Sequence, residues 1–164
     1  MALPNKVLPG FSAAMYAQSG ETPTALTLAQ LSTLANVSAL AISGNLLNVE
    51  AIPAFGQDDA VASFTVAGSR QSDKIPVQSA PTSMTITAAW NPSDTVLLQV
   101  RADAYNGTTE RTYVISATDG TNIIYYAFNA RASQFTIDPA PGAEAKATFT
   151  IHPRGNMYGW SNNA

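Results

Sequence analysis

The sequence predicts a mainly β chain, an antiparallel β-sandwich or β-barrel-forming domain with one packed α-helix over about 92–105. Three observations carry this reading. Apolar and polar residues alternate with period two through most of 46–152, turn residues punctuate those runs, and a single capped segment holds a helical stripe. At 164 residues with 46% hydrophobic content, the chain is long enough for one domain with its own core.

Taken in order, residues 1–23 are rich in Pro, Gly and Ser without a sustained period, which predicts an extended N-terminal arm. Residues 24–42 suit either a helix (Thr22-Pro23 as its start, Leu28, Leu31 and Ala35 as its stripe) or a strand, because Leu26 and Leu28 also alternate. Ser43-Gly44-Asn45 is a turn. Residues 46–52 place Leu47, Val49 and Ala51 on one face with Asn48 and Glu50 on the other. Residues 61–67 set Ala62, Phe64 and Val66 against Ser63 and Thr65. A long loop over 68–83, with Pro76 and Pro81, separates that strand from 83–90, where Met84, Ile86, Ala88 and Trp90 oppose Thr85 and Thr87.

The helix is expected to start at Asn91 as cap and Pro92 as first residue, with Asp94 in the first turn. Val96, Leu97, Val100 and Ala104 form its stripe, and Asn106-Gly107 its stop. Strands follow at 110–118, 122–130, 133–137 and 144–152, with hairpin signals at Asp119-Gly120 and across 138–142. Phe135 and Ile137 are expected inside with Ala147, Phe149 and Ile151. The run 123–130 is apolar on both faces, which predicts a core below it and a partner surface above. The division is thus an arm (1–23), one β domain (24–152) and a C-terminal tail (153–164) whose Tyr158 and Trp160 dock on a partner or on their own domain.

Composition narrows the function. Charged residues reach only 12%, where about 25% is usual. Ser63, Thr65, Thr85, Thr87, Thr148 and Thr150 stand where Lys and Glu would guard a free sheet. Either the chain is a Ser/Thr-rich β domain in solution, or much of its surface meets other subunits. Without Cys there is no thiolate nucleophile or zinc ribbon, and one His excludes paired-His metal motifs. Three Lys and five Arg are too few for tight phosphate-backbone binding. No apolar run reaches the ~18 residues that span a bilayer. Pro4, Pro9 and Gly10 interrupt any signal-peptide core, so the chain is expected to be made and kept in a cytoplasm. His152 lacks a G-x-S-x-G nucleophile, and Asp58-Asp59 lacks calcium-loop spacing. No enzyme, cofactor or metal is expected.

The order of elements now matters more than any motif. An arm leads to two strands, the long loop, a strand, and a helix opened by Trp90-Asn91-Pro92-Ser93-Asp94. A hairpin at Asp119-Gly120 and the run YYAFNARASQFTIDPAPGAEAKATFTIHPRG follow, with a small-residue kink at Asn129–Ser133 before Phe135. Over roughly 46–155 this resembles the major tail tube proteins of long-tailed, non-contractile (siphovirus-type) bacteriophages. The resemblance implies a virion protein assembled in the host cytoplasm, forming hexameric rings stacked into a tube around a tape-measure protein. Tail terminator and baseplate proteins are the further partners it implies, and double-stranded DNA passes through without specific binding.

On that expectation Asn48, Glu50, Thr65, Thr148 and Thr150 line the lumen, with Lys146 and Arg131 paired or turned outward. Arg70, Asp73 and Lys74 make inter-ring contacts from the loop, and Phe11, Tyr16, Tyr158 and Trp160 act as terminal-arm contacts. The competing expectations are a β-sandwich binding module of glycan-binding or adhesin type, and a hydrolase built around a carboxylate or His152.

Overall fold

Two very long strands organise the molecule. In the computed structural model, which describes residues 12–65, 67, 72–118, 120–140 and 142–162, β7 (Ile123–Asp138) and β8 (Lys146–Asn162) run antiparallel over 16 and 17 residues. Around them a six-stranded antiparallel sheet takes the order β2-β1-β6-β7-β8-β5, with β1 at Ser12–Ala17, β2 at Leu46–Leu47, β5 at Met84–Ala89 and β6 at Arg111–Thr118. The sheet curls into a half-barrel. A separate hairpin pairs β3 (Gln57–Thr65) with β4 (Ser72–Pro81). The mainly antiparallel β fold is as the alternation predicts.

One sheet face holds the main core. Met84, Ile86, Ala147, Phe149, Ile151, Tyr113, Ile115, Phe128 and Ala132 are buried there against Val96, Leu97 and Val100 of α3 (Thr95–Asn106). The Phe135 and Phe149 rings stack at 5.8 Å, and Trp90 meets Phe135 edge-on at 6.1 Å. At the rim of this core, buried Arg111 donates from Nε to Asp103 Oδ2 of α3 at 2.5 Å and from its Nη atoms to the carbonyls of Gln18 and Gly20. The guanidinium therefore ties the end of β1 to α3 and β6, its charge matched by the Asp103 carboxylate. Burial drives the Tyr113 hydroxyl well above the ordinary tyrosine range, so it stays protonated.

Several boundaries differ from the sequence expectation, each for a local reason. Helix α3 starts later than Asn91-Pro92 because Asp94 is the cap: its Oδ1 accepts from the N–H groups of Val96 and Leu97, both at 3.1 Å. Asn91 instead accepts from Ser93 N–H at 2.9 Å, a turn that precedes the helix. Gly107, at φ 70, closes the helix as predicted. The helix is not the sole one. The undecided segment forms α1 (Leu28–Leu31), opened by a capping box between Thr27 and Gln30, and α2 (Leu34–Leu40).

Strands expected at 122–130 and 133–137 are one strand, kept continuous by a bulge. Register passes from Ser133↔Thr150 to Thr136↔Thr148, leaving one extra residue on β7, and Gln134 takes φ 55. The extra residue returns Phe135 to the core face on which Ala132 lies. Nor is 153–164 a separate tail: through residue 162 it continues β8 and pairs with the first half of β7, Tyr158 opposite Ala127 and Trp160 opposite Tyr125. Gly155, at φ 74, lies where β8 accommodates its extra residues. Gly159 lets the Tyr126 ring lie close, since a Cβ there would meet it at 3.3 Å.

The loop expected over 68–83 is half strand. Pro76 falls at the ribbon's register shift, where Ala60 pairs with Gln78 and Val61 with Pro76, and Pro81 at its terminal pair, so β4 forms despite them. Residues 46–52, by contrast, shrink to β2 and an isolated bridge between Val49 and Ala88. The arm 1–23 is also partly sheet, because β1 pairs along β6 from Ser12↔Thr118 to Ala17↔Tyr113.

Candidate functional site

The sheet face opposite α3 is divided. Over β6 and the first half of β7 it is apolar and covered: Val114 and Ala127 are buried beneath Leu31 of α1 and Val37 of α2, with Tyr16, Leu26, Leu40 and Tyr125 packed around them. A closed polar ring fixes the cover. Thr112 Oγ1 donates to Asn129 Oδ1 at 2.7 Å, Asn129 Nδ2 donates to Leu26 O at 2.8 Å, and Leu26 N–H donates to Thr112 Oγ1 at 2.9 Å. The partner surface expected above 123–130 is thus taken, at Ala127, by the chain's own helices. An apolar upper face needs cover, and the nearby chain supplies it.

Over β5, β8 and the second half of β7 the same face is open and lined with hydroxyls. Thr87 and Thr136 flank Thr148 in one cross-strand row, and Thr85 and Ser133 flank Thr150 in the next. Thr150 Oγ1 donates to Gln134 Oε1 at 3.3 Å and lies 3.4 Å from Thr85 Oγ1. Thr136 Oγ1 donates to the Thr148 carbonyl at 3.3 Å. At the end of the row His152 is held on both sides, Nδ1 with Ser83 Oγ at 2.9 Å and Nε2 with Ser133 Oγ at 2.7 Å.

Charge on this face is sparse and mostly matched. Lys146 pairs with Glu50, whose hydrogen bond and negative charge raise the ammonium pKa above the ordinary lysine value. Arg154 Nη1 pairs with Glu110 Oε2 at 2.8 Å. Arg131, opposite His152 in register, makes no ion pair among the described residues, and its Nε is buried without an acceptor. Such a face offers hydroxyl donors and acceptors and little field of either sign. Among the described residues no three His, Cys, Asp or Glu gather to hold a metal ion, and no helix is long and apolar enough to cross a membrane.

The structure brings Glu50, Thr148 and Thr150 to this region, since Glu50 reaches Lys146 at the start of β8. It does not bring Asn48 there. β2 ends at Leu47, and Asn48 Nδ2 points instead to Asp94 Oδ2 at 3.5 Å, beside a cavity of about 310 Å³ at the α3 N-terminus. Thr65 ends β3 opposite Ser72, in the two-stranded hairpin and outside the six-stranded sheet, and Asp73 and Lys74 pair by register with Phe64 and Ser63. Arg70 and Phe11 lie outside the described residues. Tyr16 belongs to β1 and is partly buried against the helical cover. Tyr158 and Trp160 take strand positions in β8.

Sequence reasoning missed the clamp on His152. Its hydroxyls come from residues 69 and 19 positions away, and only strand register brings them together. It named neither Gln134 nor Thr136, although inward Phe135 and Ile137 put both on the opposite face by alternation.

Solved structures place this architecture. The chain resembles a component of the anti-feeding prophage baseplate, solved with sixfold symmetrisation, at TM-score 0.63 and 11% identity over 98% of this chain and 97% of that one. It resembles the sheath/tube terminator of a PVC extracellular contractile injection system at TM-score 0.62 and 15% identity, over 97% and 99% of the two chains. The chain has a tail-tube fold. The SPP1 tail tube aligns as well, at TM-score 0.53 and 11% identity over 93% of this chain and 77% of that one. The tail-tube fold is therefore shared with contractile injection systems, more widely than the non-contractile class alone. No family model matches the chain, and no curated protein sequence matches it.

Proposed function

We propose that this chain is a structural subunit of a phage-type tail, forming hexameric rings that stack into a tube through which a genome is delivered. The observation that carries the reading is the divided sheet face: one half sealed by the chain's own helices, the other open, hydroxyl-lined and with its sparse charge mostly paired. A monomer would be expected to guard such a face with charge. In a closed ring it becomes a channel wall, and a wall of Thr and Ser lets a polyanion slide because phosphate affinity accumulates with each basic contact. Glu50, Thr148 and Thr150 are its lining residues. Asn48 and Thr65 are weaker members of that set, since neither lies on the open half.

The β3–β4 hairpin, with Arg70, Asp73 and Lys74, is the element that reaches the adjacent ring. An isolated two-stranded ribbon is marginal in water, so a neighbour that covers it stabilises both. Terminal contacts from Phe11, a tape-measure protein inside the tube, and tail terminator and baseplate proteins at its ends complete the set of partners. The protein is assembled in the host cytoplasm, resides in the virion and takes no membrane or cofactor. Of the two tail classes that share the fold, we favour the non-contractile, siphovirus type on the resemblance of the Trp90–Asp94 helix start and the closing strands.

Negative-stain microscopy of the purified protein tests this reading. Hollow tubes or sixfold rings are the expected result. Dispersed single subunits at every concentration and salt tried would overturn it.

A further inference from the structure

We propose that the outer face of α3 is a seat for the β3–β4 hairpin of a second copy of this chain. This rests on the reading that the hairpin reaches an adjacent ring, and it names the surface the hairpin meets there. Helix α3 turns Val96, Leu97 and Val100 to the core and leaves an opposite face partly bare. Two neighbouring hollows of about 440 and 230 Å³ run along that face and share Leu98 and Ala102. Tyr105 borders the second and is 68% exposed, so an apolar strip on the outside of the helix has no cover in the single chain.

The strip ends in opposite charges. Glu21 and Thr95 line the hollow towards the start of the helix. Arg101 lines the other, with its guanidinium 5.9 Å from the Trp90 ring centre and 5.5 Å from that of Tyr105. Its Nε is buried without an acceptor, and neither Arg101 nor Glu21 has an ion-pair partner among the described residues. The rings orient the guanidinium, which leaves a placed cation without its anion. Nearby charges are otherwise engaged: Asp94 caps the helix, Asp103 pairs with Arg111, and Glu110 pairs with Arg154. From its first turn to its last, this face of α3 is negative, apolar, then positive.

The hairpin carries the same sequence of character from base to tip. Asp58, Ala60, Val61, Ala62 and Ser63 of β3 are all exposed, Val61 by 53%, so the chain itself leaves this strand uncovered. Backbone register sets Asp59, Val61 and Ser63 at alternate positions, with Pro76 opposite Val61 and Lys74 opposite Ser63. That ribbon face is negative, apolar, then positive. The other face has Asp58 at the base and Asp73 towards the tip, and lacks the cation. The lengths match: Asp59 to Ser63 spans about 14 Å of strand, and Thr95 to Tyr105 about 15 Å of helix. With the hairpin base at Arg101 and its tip at Glu21, Asp59 meets Arg101, Val61 covers Leu98 and Ala102, and Lys74 meets Glu21. The two surfaces differ, so the contact is heterologous and propagates head to tail, as stacked rings require.

The chain has no Cys, so an introduced pair reports without background. Oxidation of the Val61→Cys, Ala102→Cys double variant is expected to give a ladder of disulfide-linked multimers on a non-reducing gel, with either single variant remaining monomeric. An absent ladder, or dimers from a single variant at the same yield, overturns the seat. The critical concentration for tube formation, read by pelleting, is expected to rise at least about tenfold in Arg101→Glu, because like charges then face one another. Adding Asp59→Lys should recover most of the loss. Unchanged assembly in Arg101→Glu, or no recovery in the double variant, overturns the seat and leaves this face to a different protein. Tubes without a ladder overturn the seat and leave the ring reading standing. A ladder from copies that never form tubes supports the seat and overturns that reading, so the two proposals fail separately.

Discussion

Two halves of one sheet face share strand β7 and are treated in opposite ways. Where β6 meets the first half of β7, Val114 and Ala127 are sealed under Leu31 and Val37. Farther along, where the second half of β7 meets the first half of β8, the face carries Thr136, Thr148, Thr150 and His152, none of which belongs to the cluster under the helical cover. The boundary falls at Asn129 and Arg131. Asn129 is the last residue to bond the helical cover, and Arg131 is the first to face the open rows. An apolar surface was worth the ordering of some twenty residues of chain to cover it. The hydroxyl surface was left bare, and hydroxyls are what allow a bare sheet to stay wet without charge.

Placing the same charge in each half tests the division most severely. Val37→Asp would put an unpaired carboxylate under the cover and should cost about 3–5 kcal/mol of unfolding free energy in urea titration. Thr148→Asp should change stability by no more than about 0.5 kcal/mol, because its environment is already polar and wet. It should also leave assembly intact, because six added carboxylates would face a water-filled channel. Loss of assembly in Thr148→Asp would mean that the open half is a subunit contact.

A milder change sharpens the covered side. Leu31→Ala leaves a cavity over Val114 and Ala127 and should cost about 2–4 kcal/mol, read as a shift in the urea midpoint at unchanged slope. The smallest effect belongs to the rim of the open half. Glu50 raises the pKa of Lys146, so their pairing contributes stability that is complete below the ordinary lysine range and lost as pH rises through the raised folded value. Thermal melts of wild type and Glu50→Gln should differ slightly at neutral pH and converge at strongly alkaline pH. A difference that persists there would assign the effect to something other than the ion pair.

Much of this arrangement is legible in the residues. Alternation placed Thr85, Thr87, Thr148 and Thr150 on one face and Met84, Ile86, Phe149 and Ile151 on the other, because the period of a strand is local. Helix α3 was legible by its stripe and Gly107, though the cap was assigned to Asn91 in place of Asp94, since Pro92 is an equally good first residue on propensity alone. What was not legible is non-local. The hairpin partner of β3 was hidden by Pro76 and Pro81, which fall at a register shift and at a terminal pair. The continuation of β8 to residue 162 depends on pairing with β7, which no composition signal announces. Of the two serines that hold His152, Ser83 precedes β5 and Ser133 lies on β7, and no local signal in the sequence brings them together.

The central claim is that the bare half of the face lines a channel. A helical cryo-EM reconstruction of the assembled protein tests it most directly. The account predicts sixfold rings with Thr148, Thr150 and His152 directed at the tube axis and the α1–α2 cover away from that opening. A reconstruction in which those residues are buried between subunits, or lie on the outer wall, would contradict it.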